Sequence, residues 1–163
     1  MRSTSKTFTP GLRVAWTIGQ PDMIRKMVVA KQFVDVATNT LAQYILLEFI
    51  RSGLLEERIK LNNQHYKRKR DFMLKQLKVH FPEVVQWNHP AGGFFIFVRL
   101  PRDMDASELL GEAIENNVAF VAGEPFFINH AGRHTFRLSY SQSGEAVIEA
   151  AVAELGRLIK KRL

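Results

Sequence analysis

Lys6 lies in a short segment whose side chains together suit an anion and an aldehyde. Two cations and several hydroxyl groups fall between residues 3 and 13, namely Lys6 and Arg13 with Ser3, Thr4, Ser5 and Thr7. Hydroxyl donors and a planar guanidinium suit a phosphate. A cation beside an amine favours the uncharged amine, which is the form that makes a Schiff base with an aldehyde. The same residues are also typical of a solvated basic N-terminus, and composition alone leaves both interpretations open.

Arg137 is the second candidate, because of its place in the segment Thr135 to Tyr140. Alternate residues of a strand lie on one face, so Phe136, Leu138 and Tyr140 share one face and Arg137 lies on the other. A guanidinium on the face away from the core, without an acidic neighbour, can bind a carboxylate through two parallel hydrogen bonds. The alternative is an exposed charge on an edge strand.

The other charged and aromatic groups give weaker signals. The run Lys67 to Arg70 is the only feature that favours nucleic acid, but it lacks interleaved aromatic residues and is expected to face solvent for the most part. The histidines have no paired metal-ligand spacing, since Gly132 lies between His130 and His134 and argues against one helical face. We therefore expect no metal site and no nucleic-acid partner. Several phenylalanines are expected in the core or in contacts between lobes rather than on a cofactor: Phe94, Phe95, Phe97, Phe126 and Phe127.

The elements that position these residues follow from turn residues and apolar spacing. A strand is predicted from Leu12 to Ile18, between Pro10-Gly11 and Gly19. Two helices are predicted after it, from Asp22 to about Val36 and from Leu41 to Arg51, the second capped by Thr40 and ended by Gly53. A long helix is predicted from Leu54 to Phe81, because neither Gly nor Pro interrupts it and its apolar residues form one narrow seam.

A change of pattern beyond Pro82 indicates a second part of the molecule. The spacing predicts strands at 94–100, 118–121 and 135–140, and helices from a capping box at Asp105 to about Asn117 and from Ser143 to Arg162. The long helix can join two lobes, so we place the boundary inside it, with residues 1–69 in one part and 70–163 in the other. The fold class is α/β, with an α+β second part.

The composition of the chain excludes some classes of protein and of site. The chain has 163 residues, 46% of them hydrophobic and 24% charged, which is typical of a globular domain and excludes disorder as the main state. It has no cysteine, which excludes disulfides, thiolate metal sites and cysteine nucleophiles. A net charge of +7 suits nucleic acid, anionic lipid or small anions, and the sign alone does not choose among them. No apolar run reaches the roughly 20 residues of a membrane helix, so we expect a cytoplasmic protein without a membrane partner.

The segment from Ser3 to Trp16 closely resembles the S-x-S-K-x-x-x-P-G-L-R-x-G-W segment around the cofactor lysine of class I/II aminotransferases, of pyridoxal-phosphate fold type I. Ala15 departs from it, since a glycine is usual there. Residues 40–43 resemble the family motif that follows the lysine strand, and residues 90–95 resemble the motif that leads into the small domain. Residues 118–127 resemble the strand V-x-x-x-P-G-x-x-F of that domain, and residues 135–141 resemble its strand R-L-S-F-S. The sequences of these segments are most similar to those of the branch that contains 2-aminoadipate and kynurenine aminotransferases.

The resemblance implies a role for each candidate residue. Lys6 would bind pyridoxal 5'-phosphate covalently and act as the catalytic acid and base, while Ser3, Arg13 and Ser5 would hold the cofactor phosphate. Arg137 would bind the substrate carboxylate. Residues 1–69 would be the end of the large cofactor-binding domain, with the helix pair and the start of the interdomain helix, and residues 70–163 the small C-terminal domain. The partners would be an amino acid, a 2-oxo acid and, in the complete enzyme, a second copy of the chain.

The resemblance covers only the C-terminal part of the family's chain. The aspartate that pairs with the pyridine nitrogen, the ring that stacks on the cofactor and part of the phosphate site lie upstream of the lysine in this family, and only residues 1–5 precede Lys6. We therefore expect this polypeptide not to be a competent transaminase alone. Three alternatives stay open: the ligand-sensing domain of a winged-helix transcription regulator, a noncatalytic small-domain fragment, and a related fold type I lyase.

Overall fold

The computed structural model of the protein describes residues 2–129 and 131–163, so that His130 of the histidine pair considered above lies outside the described residues. The helices are α1 (Pro21–Asp35), α2 (Thr40–Arg51), α3 (Leu54–His80), α4 (Ala106–Glu115) and α5 (Glu145–Arg162). The strands are β1 (Arg2–Ser3), β2 (Ala15–Trp16), β3 (Gln86–Trp87), β4 (Phe95–Arg99), β5 (Val121–Ala122) and β6 (Thr135–Ser139). The chain divides into two compact units, residues 1–63 and 64–163, and the division falls inside α3. The predicted α/β class is confirmed.

The first unit is built on a small antiparallel hairpin and the helices that follow it. Ser3 of β1 pairs with Ala15 of β2, and the buried Thr4 binds Val14 twice, since both its amide and its hydroxyl donate to the Val14 carbonyl at 3.2 and 2.9 Å. A few apolar side chains form the core of this unit: Val14, Ala42 and Leu46, with Phe8 and Leu12 packed against them. This core is small for a unit that contains two complete helices.

The helices of the first unit begin and end close to their predicted positions. Pro21 occupies the first turn of α1, where its missing N–H costs nothing. The cap of α2 is Asn39 rather than the predicted Thr40, because the Asn39 side chain accepts a hydrogen bond from the Ala42 amide at 3.0 Å. Gly53 adopts φ +76° immediately beyond α2, a left-handed conformation that glycine takes without a steric penalty.

The second unit is a four-stranded antiparallel sheet with helices packed on one face. The strand order is β3-β4-β6-β5, so β4 and β6 are the central strands. The apolar side chains of α5 are buried, and they pack with the C-terminal half of α3 and with α4. The largest fully buried side chains of this unit are Tyr140, Phe136, Leu77, Ile96, Leu109, Leu155, Leu158 and Ile159.

Three short elements differ from the predicted ones. The strand expected from Leu12 begins only at Ala15, because Pro10–Leu12 forms a 3-10 turn and Arg13 adopts φ 55°. The strand expected at 118–121 is β5, at Val121–Ala122, because the Val118 amide still donates to the Ala113 carbonyl at the end of α4. The pairing of β3 with β4 was not predicted, since a strand of two residues has no periodicity of its own.

The basic run on α3 is divided between solvent and protein. Lys67 and Arg68 are exposed, as expected, but only 9% of Lys69 is exposed. The Lys69 ammonium donates to the Ser141 carbonyl at 2.8 Å, and the Arg70 guanidinium donates to the Pro90 carbonyl at 3.0 Å. The expectation of a mostly solvated run is therefore wrong for Lys69 and Arg70, which hold the segments at 141 and 90. None of the described helices combines the length and hydrophobicity that a membrane span needs.

Candidate functional site

Lys6 lies in the turn that follows β1. The amides of Thr7 and Phe8 both donate to the Thr4 carbonyl, at 3.2 and 2.9 Å, and close the backbone around residues 4–8. Because Thr4 is buried and bound to Val14, this turn is fixed at its base. Lys6 itself is exposed. The hairpin therefore presents the lysine amine outside the small core of the first unit.

Ser3 and Ser5 lie together beside the lysine. The Ser3 hydroxyl donates to the Ser5 hydroxyl at 2.9 Å and accepts from the Ser5 amide at 3.1 Å. Two hydroxyl groups and one amide thus lie together at the end of β1, and the Ser5 hydroxyl proton is not used in these two bonds. Hydroxyl and amide donors of this kind are a common means of binding phosphate oxygens.

Arg13 lies two residues before β2, and the next residue, Val14, accepts the two hydrogen bonds from Thr4. Its φ of 55° is uncommon for a residue with a side chain. The guanidinium is exposed and makes one long bond, at 3.4 Å, to the Pro10 carbonyl, and no carboxylate of the described residues lies within 4 Å of it. The hydroxyls and the Arg13 guanidinium fit a phosphate, and the Lys6 amine suits an aldehyde, so these residue types match the two groups of pyridoxal phosphate.

Arg137 lies at the centre of β6 in the second unit. Its neighbours across the sheet are Phe97 of β4 and Val121 of β5. The flanking residues Phe136 and Leu138 are buried in the core, whereas Arg137 lies on the opposite face, as strand alternation predicts. The sequence-predicted residues are therefore found in two places, with Ser3, Ser5, Lys6 and Arg13 on the first unit and Arg137 on the second.

Two phenylalanine rings flank the Arg137 guanidinium. The Cζ atom lies 4.0 Å from the ring centroid of Phe95 and 4.7 Å from that of Phe126. Such contacts are worth roughly 0.5 to 2 kcal/mol each, and they hold the guanidinium plane in one orientation. Sequence analysis missed this role, since Phe95 and Phe126 were expected in the core. Part of the signal was local, because Phe95 shares a face of β4 with Phe97, the residue opposite Arg137.

The Arg137 side chain has an unsatisfied donor. Its Nε is buried and has no hydrogen-bond partner among the described residues. A buried donor without an acceptor is rare and costs about 1 to 3 kcal/mol, so an acceptor from outside is expected to relieve it. A cavity of about 340 Å³ opens beside this residue, with Phe95, Val121 and Ser139 among its lining residues. A planar cation between two rings at the edge of an apolar cavity suits a carboxylate that carries an organic group.

A set of hydrogen bonds fixes the chain segment that leads into β4. The Tyr140 hydroxyl donates to the Gly93 carbonyl at 2.8 Å, and the Arg70 guanidinium donates to the carbonyls of Pro90 and Ala91 at 3.0 and 3.4 Å. Burial raises the pKa of the Tyr140 phenol above its ordinary value, so the hydroxyl keeps its proton and remains a donor. These contacts position the segment that precedes Phe95, and the Phe95 ring contacts Arg137.

Comparison with known proteins places these features in a family context. The family model described as aminotransferase class I and II matches residues 1–155. The 2-aminoadipate transaminase of Thermus thermophilus is 39% identical over 158 residues, which are 97% of this chain and 40% of that protein. The solved structure of kynurenine aminotransferase from Pyrococcus horikoshii has a TM-score of 0.95 at 38% identity, and the match covers 99% of this chain and 40% of that one.

A further solved structure carries a cofactor derivative. The α-aminoadipate aminotransferase of Thermus thermophilus, complexed with N-(5'-phosphopyridoxyl)-L-leucine, has a TM-score of 0.92 at 39% identity over 98% of this chain and 41% of that one. An uncharacterized HTH-type transcriptional regulator of Bacillus subtilis is 29% identical over 98% of this chain and 33% of that protein. The chain thus spans about 40% of the length of the aminotransferases it matches.

Proposed function

Since the chain belongs to the class I and II aminotransferase family, we propose that it carries the lysine and the carboxylate-binding arginine of a pyridoxal-phosphate-dependent aminotransferase. The substrates would be an amino acid and a 2-oxo acid. Residues 1–69 would be the end of the large domain and residues 70–163 the small domain. The observation that carries the proposal is the Arg137 guanidinium, held between two rings with its buried Nε unpartnered, at the position where the family sequence has its carboxylate-binding arginine.

Each candidate site residue has a separate role in this proposal. The hydroxyls of Ser3 and Ser5 and the guanidinium of Arg13 donate to the phosphate oxygens of pyridoxal phosphate. When bound, this cofactor supplies an aldehyde that takes up the amino group and a ring that withdraws electrons from the Cα atom. The Lys6 Nζ atom removes the proton from Cα and later returns one, as a general base and then a general acid. Arg137 binds the carboxylate of the amino acid through its two nitrogens on the same edge.

A chimera provides the test, because the relatives are longer than the segment that this chain matches. The 163-residue chain would replace the matched segment of the Thermus 2-aminoadipate transaminase. We expect this chimera to bind pyridoxal phosphate and transfer amino groups. Lys6→Ala is expected to remove the absorption band of the lysine-bound cofactor and lower turnover by at least the roughly 10²- to 10⁴-fold of a lost acid and base. Lys26→Ala, on exposed α1, is the matched control.

The outcomes of this experiment separate the proposal from its alternatives. A cofactor band that survives Lys6→Ala contradicts the assignment of the lysine. A chimera that binds cofactor and amino acid through Lys6 without amino transfer favours the ligand-sensing domain of a regulator, the second candidate, which the match to the Bacillus subtilis regulator supports. Release of a different product, by cleavage of another bond at Cα, favours a fold type I lyase. We also propose that the complete enzyme is a homodimer, as the resemblance implies, and that it is cytoplasmic, as expected from the apolar runs of the sequence.

A further inference from the structure

A second cavity of the 64–163 unit is lined by cations. It measures about 730 Å³ and lies at the end of the sheet where β3, β4 and β6 meet the segment before α4. Sites for small molecules in proteins typically have volumes of roughly 300 to 1,000 Å³. The lining side chains include three guanidinium groups and one imidazole, from Arg99, Arg102, Arg133 and His134.

Hydrogen bonds within and beside the sheet fix the backbone segments that line this cavity. Arg99, the last residue of β4, lies between Gln86 of β3 and Thr135 of β6. The Leu100 amide donates to the His134 carbonyl at 2.8 Å, and the Ala106 amide donates to the Arg133 carbonyl at the same distance. Arg99, Arg133 and His134 therefore start from neighbouring positions of a hydrogen-bonded backbone.

Most of the positive charge in this cavity is not neutralised by the protein. Arg133 pairs with Asp105, with 2.8 Å between Nη2 and Oδ2. Arg99 and Arg102 have no carboxylate within 4 Å among the residues that the structure describes. Guanidinium groups gathered without acids repel one another, and a bound anion reverses that unfavourable interaction.

The cavity is distinct from the surroundings of Arg137. Arg137 does not line it, although Arg99 and Arg137 lie on the same face of the sheet. Phe97 pairs directly with Arg137 and lies two residues before Arg99 on β4, and its ring contacts those of Phe126 and Phe127 at centroid distances of 6.1 and 6.2 Å. The cationic cavity is therefore a second site, which does not depend on the proposed aminotransferase activity.

We propose that this cavity binds a small organic phosphate with at least two negative charges. Arg99 and Arg102 bind the phosphate oxygens, since guanidinium groups match them with paired donors. Phe127 provides an apolar wall beside the cations, and it suits the organic part of the ligand. Pyrophosphate shares the phosphate chemistry without the organic part, so comparison of the two distinguishes an organic from an inorganic ligand.

Isothermal titration calorimetry of the 163-residue chain with adenosine triphosphate, inorganic pyrophosphate and adenosine tests the proposal. We expect both phosphates to bind, adenosine triphosphate more tightly, and adenosine alone not to bind. The double variant Arg99→Gln, Arg102→Gln is expected to weaken both phosphates at least tenfold, because it removes two charge-assisted contacts. Arg58→Gln with Arg68→Gln is the matched control, since it removes the same charge from exposed positions of α3.

Amide chemical shifts localise the binding and separate it from the Lys6 segment. Pyrophosphate is expected to shift the amides of residues 99–102 and 133–135 more than those of residues 3–13. Shifts confined to residues 3–13, equal losses in the two double variants, or no heat at millimolar ligand would each overturn the proposal. Circular dichroism of both double variants verifies that the fold is kept. Tighter binding of pyrophosphate than of adenosine triphosphate would overturn the organic part and retain an inorganic phosphate site.

Discussion

Arg137 combines a charge, a plane and an unsatisfied donor, and a lysine at the same position keeps only the charge. In the chimera described above, Arg137→Lys is expected to weaken productive amino-acid binding roughly 10- to 100-fold, the range for the loss of a charge-assisted pair of hydrogen bonds. The band of the lysine-bound cofactor should stay unchanged. Titration with the amino donor, followed by absorbance, measures the effect, and Arg68→Lys on the exposed face of α3 is the control. An unchanged titration, or loss of the cofactor band, would assign Arg137 another role.

At this scale the sequence predicts what depends on neighbours in the chain and fails where a partner is remote. The face of Arg137 follows from the alternation of Phe136 and Leu138, which is a local property. The contact of its guanidinium with Phe126 depends on the path of the loop between β5 and β6, which no spacing encodes. Lys69 is the clearest failure, because its acceptor, the Ser141 carbonyl, is 72 residues away.

The packing of α5 against the end of α3 reverses the usual effect of replacing glycine by alanine. In a helix Gly→Ala normally stabilises by up to about 1 kcal/mol. A Cβ atom at Gly156 would overlap the His80 carbonyl oxygen, whereas one at Gly111 of α4 would have no atom within 4 Å. We expect Gly156→Ala to lower the free energy of unfolding by about 1 to 3 kcal/mol and Gly111→Ala to raise it by about 0.5 to 1 kcal/mol. Urea unfolding measures both, and the same sign for the two variants would contradict this packing.

The first turn of α4 depends on the charge of Asp105. The backbone N–H of Ser107 holds the pKa of this carboxyl below its usual 3.8, and the hydrogen bond from Arg133 acts in the same direction, while burial opposes both. A carboxyl whose pKa is lower in the folded state stabilises that state fully at pH values above its unfolded pKa. This contribution is lost as the pH falls through its folded pKa. Asp105→Ala should therefore cost about 0.5 to 2 kcal/mol at pH 7, and less at about pH 3.

Urea unfolding of Asp105→Ala and of the exposed control Asp103→Ala, at both pH values, measures this dependence. The control should differ little from the parent chain. A cost of Asp105→Ala that is the same at neutral and at acidic pH would show that the ionised carboxylate is not what stabilises the turn.

Among the elements, the long helices were predictable to within one or two residues and the shortest strands were not. The helical spacing of apolar residues and the positions of Pro21 and Gly53 set the limits of α1, α2 and α3 from local sequence alone. β3 and β5 have two residues each and exist only through their pairing with β4 and β6. Their positions therefore depend on the tertiary structure.

The whole molecule distributes its apolar core unevenly between the two units. The cluster of the 64–163 unit includes residues from α3, α4, α5 and the central strands, whereas the first unit has Val14, Ala42 and Leu46 as its buried cluster. Turn residues and apolar spacing predicted the order of elements and the two-part organisation, but burial depends on which faces meet in space. Helix α1 is an example, because its sequence contains several apolar residues, yet no residue of α1 is buried and Phe33 is 87% exposed.

This uneven burial predicts that the two units differ in stability within one chain. A helix of 15 residues is marginal in water without tertiary contacts, so the amides of α1 should exchange with solvent almost as fast as those of an unfolded peptide. The amides of α5 and of the central strands β4 and β6 should exchange roughly 10³-fold more slowly or beyond, since their opening requires unfolding of the larger core. Hydrogen exchange with mass spectrometry measures both.

Association through the exposed apolar side chains of α1 and α2 would slow exchange there. The measurement is therefore made at two protein concentrations, with the molar mass determined by light scattering. If a monomeric chain protected α1 as strongly as α5, local burial would not be what decides stability in this molecule.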